Sequence, residues 1–214
     1  FIHGDILDRE IIRSSLKGCN VVVHFAAESH VDRSLLEEHI LTFFRTNLIG
    51  TWNLLYEAGK IGIDRLLYIS TDEVFGQLRE EGKFSRSSNI APTQPYSISK
   101  AVAQQLALGQ MKGIGYEIMP PEECGVCPVI VTSCSNNVGP YQYPEKYVPL
   151  AITNVHDGKP IRVYGEGKNV RDWIYVLDNC RGQEAALLRG EIGKTYLFGG
   201  GNEVSNLELA RMIL

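Results

Sequence analysis

The 214-residue chain carries 21 Lys and Arg against 25 Asp and Glu, a net charge of −4, and 44% of it is hydrophobic. That balance offers no basic footprint for nucleic acid, and the apolar runs fall well short of the roughly 20 residues that a membrane-spanning helix requires. Five cysteines (Cys19, Cys124, Cys127, Cys134, Cys180) are irregularly spaced, and the lone CxxC at 124–127 lacks the second ligand pair of a zinc site. No metal is therefore expected, and reduced thiols without a legible secretory leader point to the cytoplasm.

Apolar runs alternate with helical periodicity, which predicts an α/β fold with a parallel sheet wrapped by helices. "NVVVHFAA" (Asn20–Ala27) reads as a buried strand. Leu36, Ile40, Phe43, Phe44, Asn47, Leu48, Thr51, Leu54, Leu55 and Ala58 recur at three- and four-residue steps, the face of one long helix closed near Gly59 and Gly62. "RLLYIS" is the next strand. A polar loop with Pro92 and Pro95 follows, and a second helix starts about Tyr96, carrying Ala101, Ala103, Leu106 and Ala107. "MKGIGYEIMPPEECGVC" is poorly periodic and reads as a long loop. "PVIVTSCSNN" predicts a strand, and "PEKYVPLAITNVHDG" a helix with Pro144 near its start and Gly158 past its end. "IRVYG", "WIYVLDNCRGQEAALLRG", "KTYLFGG" and "SNLELARMIL" then predict strand, strand-to-helix, strand and helix. The opening "FIHGDILD" reads as a strand end, so a doubly wound sheet is expected without its first strands.

Two short stretches carry chemistry. In "STDEVFG" a hydroxyl and two adjacent carboxylates, Thr71, Asp72 and Glu73, stand where the chain leaves a strand. Such a pair tends to hold one carboxyl group protonated; the plainer reading of Asp72 is a helix N-cap. In "YSISK", Tyr96 and Lys100 are four residues apart and share one helix face. A phenol works as a base at neutral pH only if its pKa, normally about 10, drops by roughly 3 units, or about 4 kcal/mol. One cation supplies roughly 1–3 units, so Lys100 alone is marginal. The plainer reading is an ordinary surface pair.

Taken together, Thr71 followed by YxxxK resembles the Ser/Thr–Tyr–Lys triad of extended short-chain dehydrogenases. "FAAESHVDRS", "STDEVFG", "YSISKA", "CSNNVGPYQYPEK" and "RDWIYV", in that order, resemble the dTDP-glucose 4,6-dehydratase family over nearly the whole chain. The resemblance implies a Rossmann-like doubly wound sheet with a small α/β substrate-binding region. Residues 1–137 would form an incomplete NAD-binding domain and 138–214 mainly the substrate region, interleaved with the sheet near 172–189. It implies Tyr96 as the base at the carbon-4 hydroxyl, Thr71 bonded to that oxygen and Lys100 on the nicotinamide ribose, whose cationic ring would add to the shift of Tyr96. Glu73 would remove the carbon-5 proton and Asp72 would protonate the departing carbon-6 hydroxyl, hydride being lent to NAD and returned.

The resemblance further assigns Asp5, Ile6, Ala26, Ala27, Glu28, Ser29, Thr46 and Asn137 to the cofactor. It assigns Ser29, Asn136, Lys146, Arg171 and Asn202 to a nucleotide-sugar substrate, dTDP-glucose. A guanidinium suits phosphate because it grips bidentately, although Arg171 could simply pair with Asp172. The helix bearing Thr46 is about two residues longer than the family norm, and the 113–127 loop about ten. The family's Gly-rich GxxGxxG turn has no counterpart after Phe1, so these residues alone are expected to bind NAD weakly and turn over little. Rival readings are a 4-epimerase or UDP-glucuronate decarboxylase, both typically without the Asp–Glu pair, and a UDP-glucose 4,6-dehydratase. A further rival is a non-catalytic remnant that dimerises through the helices at 35–58 and from 96 onward. A homodimer through those helices is the expected assembly in any case.

Overall fold

The computed structural model describes residues 1–78, 82–111 and 125–214. It divides into two compact units: Phe1–Ser133 with Gln183–Leu197, and Cys134–Gly182 with Phe198–Leu214.

The first unit is built on a sheet. Strands β1 (Val21–His24), β2 (Arg65–Thr71), β3 (Val129–Cys134) and β6 (Thr195–Phe198) lie side by side in the order β1-β2-β3-β6. β1 and β2 run parallel with Val21 beside Arg65 and His24 beside Tyr68. Both strands therefore finish at one edge, and the segments that follow them, from Phe25 and from Asp72, leave the sheet there. β1 is shorter than the apolar run predicted, because only four residues find a ladder partner.

Helix α1 (Arg9–Ser15) starts at Asp8, whose carboxylate accepts from the Glu10 and Ile11 amides at 2.9 and 3.2 Å. The predicted long helix runs from Glu37 to Ile61 as α3 (Glu37–Phe44), a π-turn over Arg45–Gly50 and α4 (Thr51–Ile61), ending at a left-handed Gly62, and a separate short helix, α2 (Val31–Ser34), precedes it. A π-turn takes up extra chain without breaking the helix axis, and this one falls in the helix that reads as longer than its family's norm. Helix α5 (Pro95–Met111) packs on β2 and α4. Leu54, Leu55 and Ala58 of α4, Ala103 and Ala107 of α5, and Leu66, Tyr68, Val129 and Val131 of the sheet form the core, with Ile12 and Leu16 closing it beside α1. Glu57, fully buried, is held between two arginines of α1, Arg9 Nε and Arg13 Nε each donating to it at 2.9 Å.

In the second unit β4 (Asn136–Val138) runs parallel to β5 (Val170–Tyr175), and β5 pairs antiparallel with β7 (Glu203–Ser205). Helix α6 (Tyr147–His156) packs against α8 (Asn206–Ile213), and Tyr147 Oη donates to the Asn206 carbonyl at 3.1 Å. α8 opens on a capping box between Ser205 and Glu208. Helix α7 (Val176–Arg189) follows β5 directly. Residues 161–164, expected as a strand, join no ladder; the strand is the next segment, Val170–Tyr175. A short β-branched run becomes a strand only where a neighbour accepts its backbone, and that lies beyond local sequence.

Most of the predicted 111–127 loop, Cys124 included, lies outside the described residues. Cys127 is buried in the core and burial pushes its thiol up to about 12, so it is inert as a thiolate at neutral pH. Among the described residues no helix is long and apolar enough to cross a membrane.

Candidate active site

The edge where β1 and β2 end gathers the chemistry. Thr71, the last residue of β2, is the N-cap of the 3-10 turn Asp72–Phe75, its Oγ1 accepting from the Glu73 amide at 3.3 Å. The N-cap of this turn is thus Thr71 and not Asp72. Thr71 Oγ1 also lies 3.4 Å from Asp72 Oδ1. All three side chains are partly exposed. Gly76 ends the turn at φ 76, and a β-carbon there would collide with the Ala91 carbonyl, so the motif's final glycine is sterically required.

Helix α5 brings the YxxxK pair to the same place. Lys100 is buried, and its Nζ donates to the Ile69 carbonyl, two residues before Thr71, at 2.6 Å. The ammonium also stands over the Tyr68 ring, 4.4 Å from its centroid. Tyr96, one turn earlier on α5, meets Phe43 edge-on with centroids 6.3 Å apart. Strand end and helix are therefore joined by a lysine that reaches across to a main-chain oxygen.

A hub that the sequence did not reveal fixes the other half of this edge. Asn47, buried in the π-turn, accepts from the Glu28 amide at 2.8 Å and donates to the Glu28 carbonyl at 3.0 Å. Its amide also donates to Ser99 Oγ at 2.9 Å, and Ser99 donates to the Tyr96 carbonyl at 2.7 Å. One side chain thus ties the segment after β1 to the helix that carries Tyr96. Its partners are 19 and 52 residues away in sequence, so only an asparagine in a helix interior, where that residue is disfavoured, hinted at it.

The hub continues to His24. Thr51 Oγ1 donates to the Asn47 carbonyl at 2.6 Å and lies 2.9 Å from His24 Nε2. A hydroxyl has one hydrogen to give, so Nε2 carries the ring proton and donates to Thr51. Burial, helped by the charge of Lys100, lowers the His24 pKa to about 3. The unfolded chain takes up a proton there near pH 6.5 while the native ring stays neutral, so stability should fall as pH drops from about 6.5 towards 3. Between pH 7 and 5 this amounts to about 2 kcal/mol. His24→Gln keeps a donor for Thr51 and should flatten that part of the profile, read as urea midpoints at the two pH values.

The remaining predicted residues of the first unit sit around this edge or at the chain's start. Ala26 and Ser29 are exposed, Ala27 and Glu28 half-buried, and Thr46 half-buried in the π-turn. Asp5 accepts from the Leu7 amide at 2.9 Å, and Ile6 packs against the core. In the second unit, Asn136 and Asn137 form β4. Asn137 is engaged at both ends of its amide, donating to the Ser135 carbonyl at 3.2 Å and accepting from Asn179 at 2.9 Å. Lys146 precedes α6, 3.8 Å from Glu145. Arg171 is exposed on β5 and does not pair with Asp172, whose two oxygens accept from the Gly200 and Asn202 amides at 2.8 Å each. The simple pairing that would have explained Arg171 away is absent.

Residues 1–199 match the NAD dependent epimerase/dehydratase family, and the chain belongs to it. A dTDP-glucose 4,6-dehydratase of Streptomyces niveus is 45% identical over all 214 residues, which cover 60% of that relative. The low-salt glycan biosynthesis protein Agl12 of Haloferax volcanii is 43% identical, again over the whole chain and 64% of its own length. Among solved structures, DesIV, a dTDP-glucose 4,6-dehydratase of Streptomyces venezuelae with NAD and TYD bound, superposes with a TM-score of 0.91 at 41% identity, covering 100% of this chain and 62% of that one. A UDP-glucuronic acid 4-epimerase of Bacillus cereus, in complex with UDP-glucuronic acid and NAD, follows at 0.87 and 26% identity, with 100% and 64% covered. The chain therefore spans a little over 60% of the length of these curated relatives.

Proposed function

We propose that this chain supplies the catalytic residues of a dTDP-glucose 4,6-dehydratase that works with NAD. The observation that carries the reading is the Thr71–Asp72–Glu73 run, set at the strand end whose Ile69 carbonyl holds Lys100. The edge suits a dinucleotide: ligands of open parallel sheets bind beyond the carboxyl ends of the strands. Among the described residues the buried hydroxyls of Ser70 and Ser133, near the carboxyl ends of β2 and β3, find no hydrogen-bond partner, as expected where a bound group completes a site.

NAD, when bound, supplies a hydride acceptor that becomes the donor later in the same turnover. The chain's residues move the protons. Tyr96 takes the proton of the carbon-4 hydroxyl, helped by the positive charge one helical turn away on Lys100, and Thr71 holds that oxygen. A carbonyl at carbon 4 acidifies the neighbouring hydrogen, and Glu73 removes it from carbon 5. Asp72 delivers a proton to the carbon-6 hydroxyl, which leaves as water, and the 4-keto-6-deoxy sugar is complete when carbon 6 has regained the hydride and carbon 5 a proton from Glu73. Asp5, Ile6, Ala26 to Ser29, Thr46 and Asn137 are assigned to the cofactor; Asn136, Lys146, Arg171 and Asn202 are assigned to the nucleotide sugar. Reduced thiols such as the free Cys19 and Cys180 suit a cytoplasmic setting.

The test is a chimera in which these 214 residues replace the matching part of the Streptomyces niveus relative. It should convert dTDP-glucose to the 4-keto-6-deoxy sugar, read by the product's absorbance in alkali, and act poorly on UDP-glucose. Faster turnover of UDP-glucose would shift the reading to the UDP-sugar branch, and epimer without water loss to the epimerases.

A homodimer is part of the proposal. A groove of about 960 Å³ on the first unit is lined by Leu48, Ile49 and Trp52 from the π-turn and α4 and by Val102 and Leu106 from α5. Ile49 and Val102 are 47% and 42% exposed, unusual for apolar side chains on adjoining helices unless another surface covers them. Val102→Asp should halve the mass seen by light scattering while the far-UV circular dichroism stays that of the folded chain.

A further inference from the structure

Arg171 and Asp172 are neighbours on β5, so their side chains leave the strand on opposite faces. On one face Arg171 is exposed, and among the described residues its guanidinium makes one hydrogen bond, from Nη1 to the Val170 carbonyl at 3.2 Å. On the other, Asp172 is half-buried and commits both oxygens to the backbone of the segment Gly199–Asn202: Oδ2 accepts from the Gly200 amide and Oδ1 from the Asn202 amide, each at 2.8 Å. The same segment is stitched to the next residue of the strand. Trp173 donates its amide to the Asn202 carbonyl at 3.2 Å, and the Trp173 carbonyl accepts from Asn202 Nδ2 at 3.3 Å. Asn202 Nδ2 also donates to the Gly200 carbonyl at 3.0 Å, so the amide's remaining group is its Oδ1 acceptor.

The segment fits only because it is glycine-rich. A β-carbon on Gly199 would lie 2.7 Å from Asp172 Oδ2, and one on Gly200 would collide with the Trp173 carbonyl. "FGGGN" is thus a backbone pressed against a carboxylate, and the carboxylate is its latch. An acid beside an arginine would ordinarily pair with it; here the acid leaves the opposite face of the strand and bonds two backbone amides instead, so it does not occupy the guanidinium fork that a ligand's phosphate could take.

We infer that Asp172 is a positioning residue for nucleoside-diphosphate binding in the second unit, acting through the seating of Asn202 and by not occupying the guanidinium fork of Arg171. The inference rests on the nucleotide-sugar reading above. Asp172→Asn replaces one acceptor by an NH2 group that faces an amide N–H, removing one of the two latch bonds and opposing the donor with a donor.

Two measurements test it. Calorimetric titration of the 214-residue chain with dTDP should show Asp172→Asn binding about tenfold more weakly, the effect of losing one charge-assisted hydrogen bond. In the chimera, KM for dTDP-glucose should rise by a similar factor with kcat within twofold, and Asp172→Asn should add little once Arg171→Ala and Asn202→Ala are both present. Gly199→Ala, which displaces the latch without altering any charge, guards against misfolding of the aspartate variant and should weaken dTDP in the same direction. Unchanged dTDP affinity in both variants, or a fall in kcat with KM unmoved, would overturn the inference while leaving the nucleotide-sugar reading in place. Failure of the unaltered chain to bind dTDP in either form would remove both.

Discussion

Glu73→Gln in the chimera is expected to lower dehydration of dTDP-glucose by about 10²–10⁴-fold, the usual contribution of a positioned general base. The amide is nearly isosteric, so the 3.3 Å bond from the Glu73 backbone to Thr71 and the turn it caps should survive. What is lost is the only group proposed to accept the carbon-5 proton. KM should change little, because the carboxylate acts on a proton that becomes acidic only after the sugar is oxidised at carbon 4. Asp72→Asn should lose less, since it assists a leaving group that water can also protonate. Steady-state rates for both variants, taken at one pH, rank the two carboxylates. If glutamine at 73 supports near-normal turnover, the proton must leave by another route.

Lys100→Met is expected to cost about 100-fold at neutral pH, and part of that loss should return as the pH is raised. The reasoning is electrostatic. A cation close to a phenol favours its ionised form, so removing the charge of Lys100 leaves fewer molecules with Tyr96 as phenolate at pH 7. Methionine fills the buried space over Tyr68 but leaves the Ile69 carbonyl without its 2.6 Å donor, so a modest loss of stability should accompany the change. A second readout separates charge from packing. The His24 pKa is depressed first by burial and then by Lys100. Without that charge the native ring should protonate at a higher pH, and the stability lost on acidification should level off sooner than in the parent. An unmoved pH–rate profile together with an unmoved acid limb would show that Lys100 is a packing residue.

Much of this arrangement was legible in the residues because local geometry dictates it. Tyr96 and Lys100 share a face wherever the segment is helical, and a hydroxyl that ends a β-branched run stands at the sheet edge whatever else the fold does. The alternation of apolar strands with periodic helices was enough for the α/β class. What escaped depends on partners distant in sequence. The 161–164 segment has the composition of a strand but no neighbour to pair with, while Val170–Tyr175 pairs on both sides. The apolar spacing from Leu36 to Ala58 reads as one continuous helix, since a π-turn shifts the face by a single residue and leaves the run of apolar side chains unbroken. Asn47 falls on the periodic face of that helix, and nothing local says what it binds until the fold brings Glu28 and Ser99 to it. Asp172 and Arg171, adjacent in sequence, suggested each other as partners; strand geometry sends them to opposite faces, and the glycine segment from 199 takes the acid.

The central claim is that Glu73 draws a proton from carbon 5 of an oxidised hexose. The most direct measurement is the position of deuterium in product made by the chimera in heavy water, located by proton NMR. A proton held by a carboxylate at a solvent-accessible edge exchanges with water before carbon 5 is reprotonated, so the 4-keto-6-deoxy product should carry deuterium at carbon 5. Product with its original hydrogen retained at carbon 5 would contradict the claim.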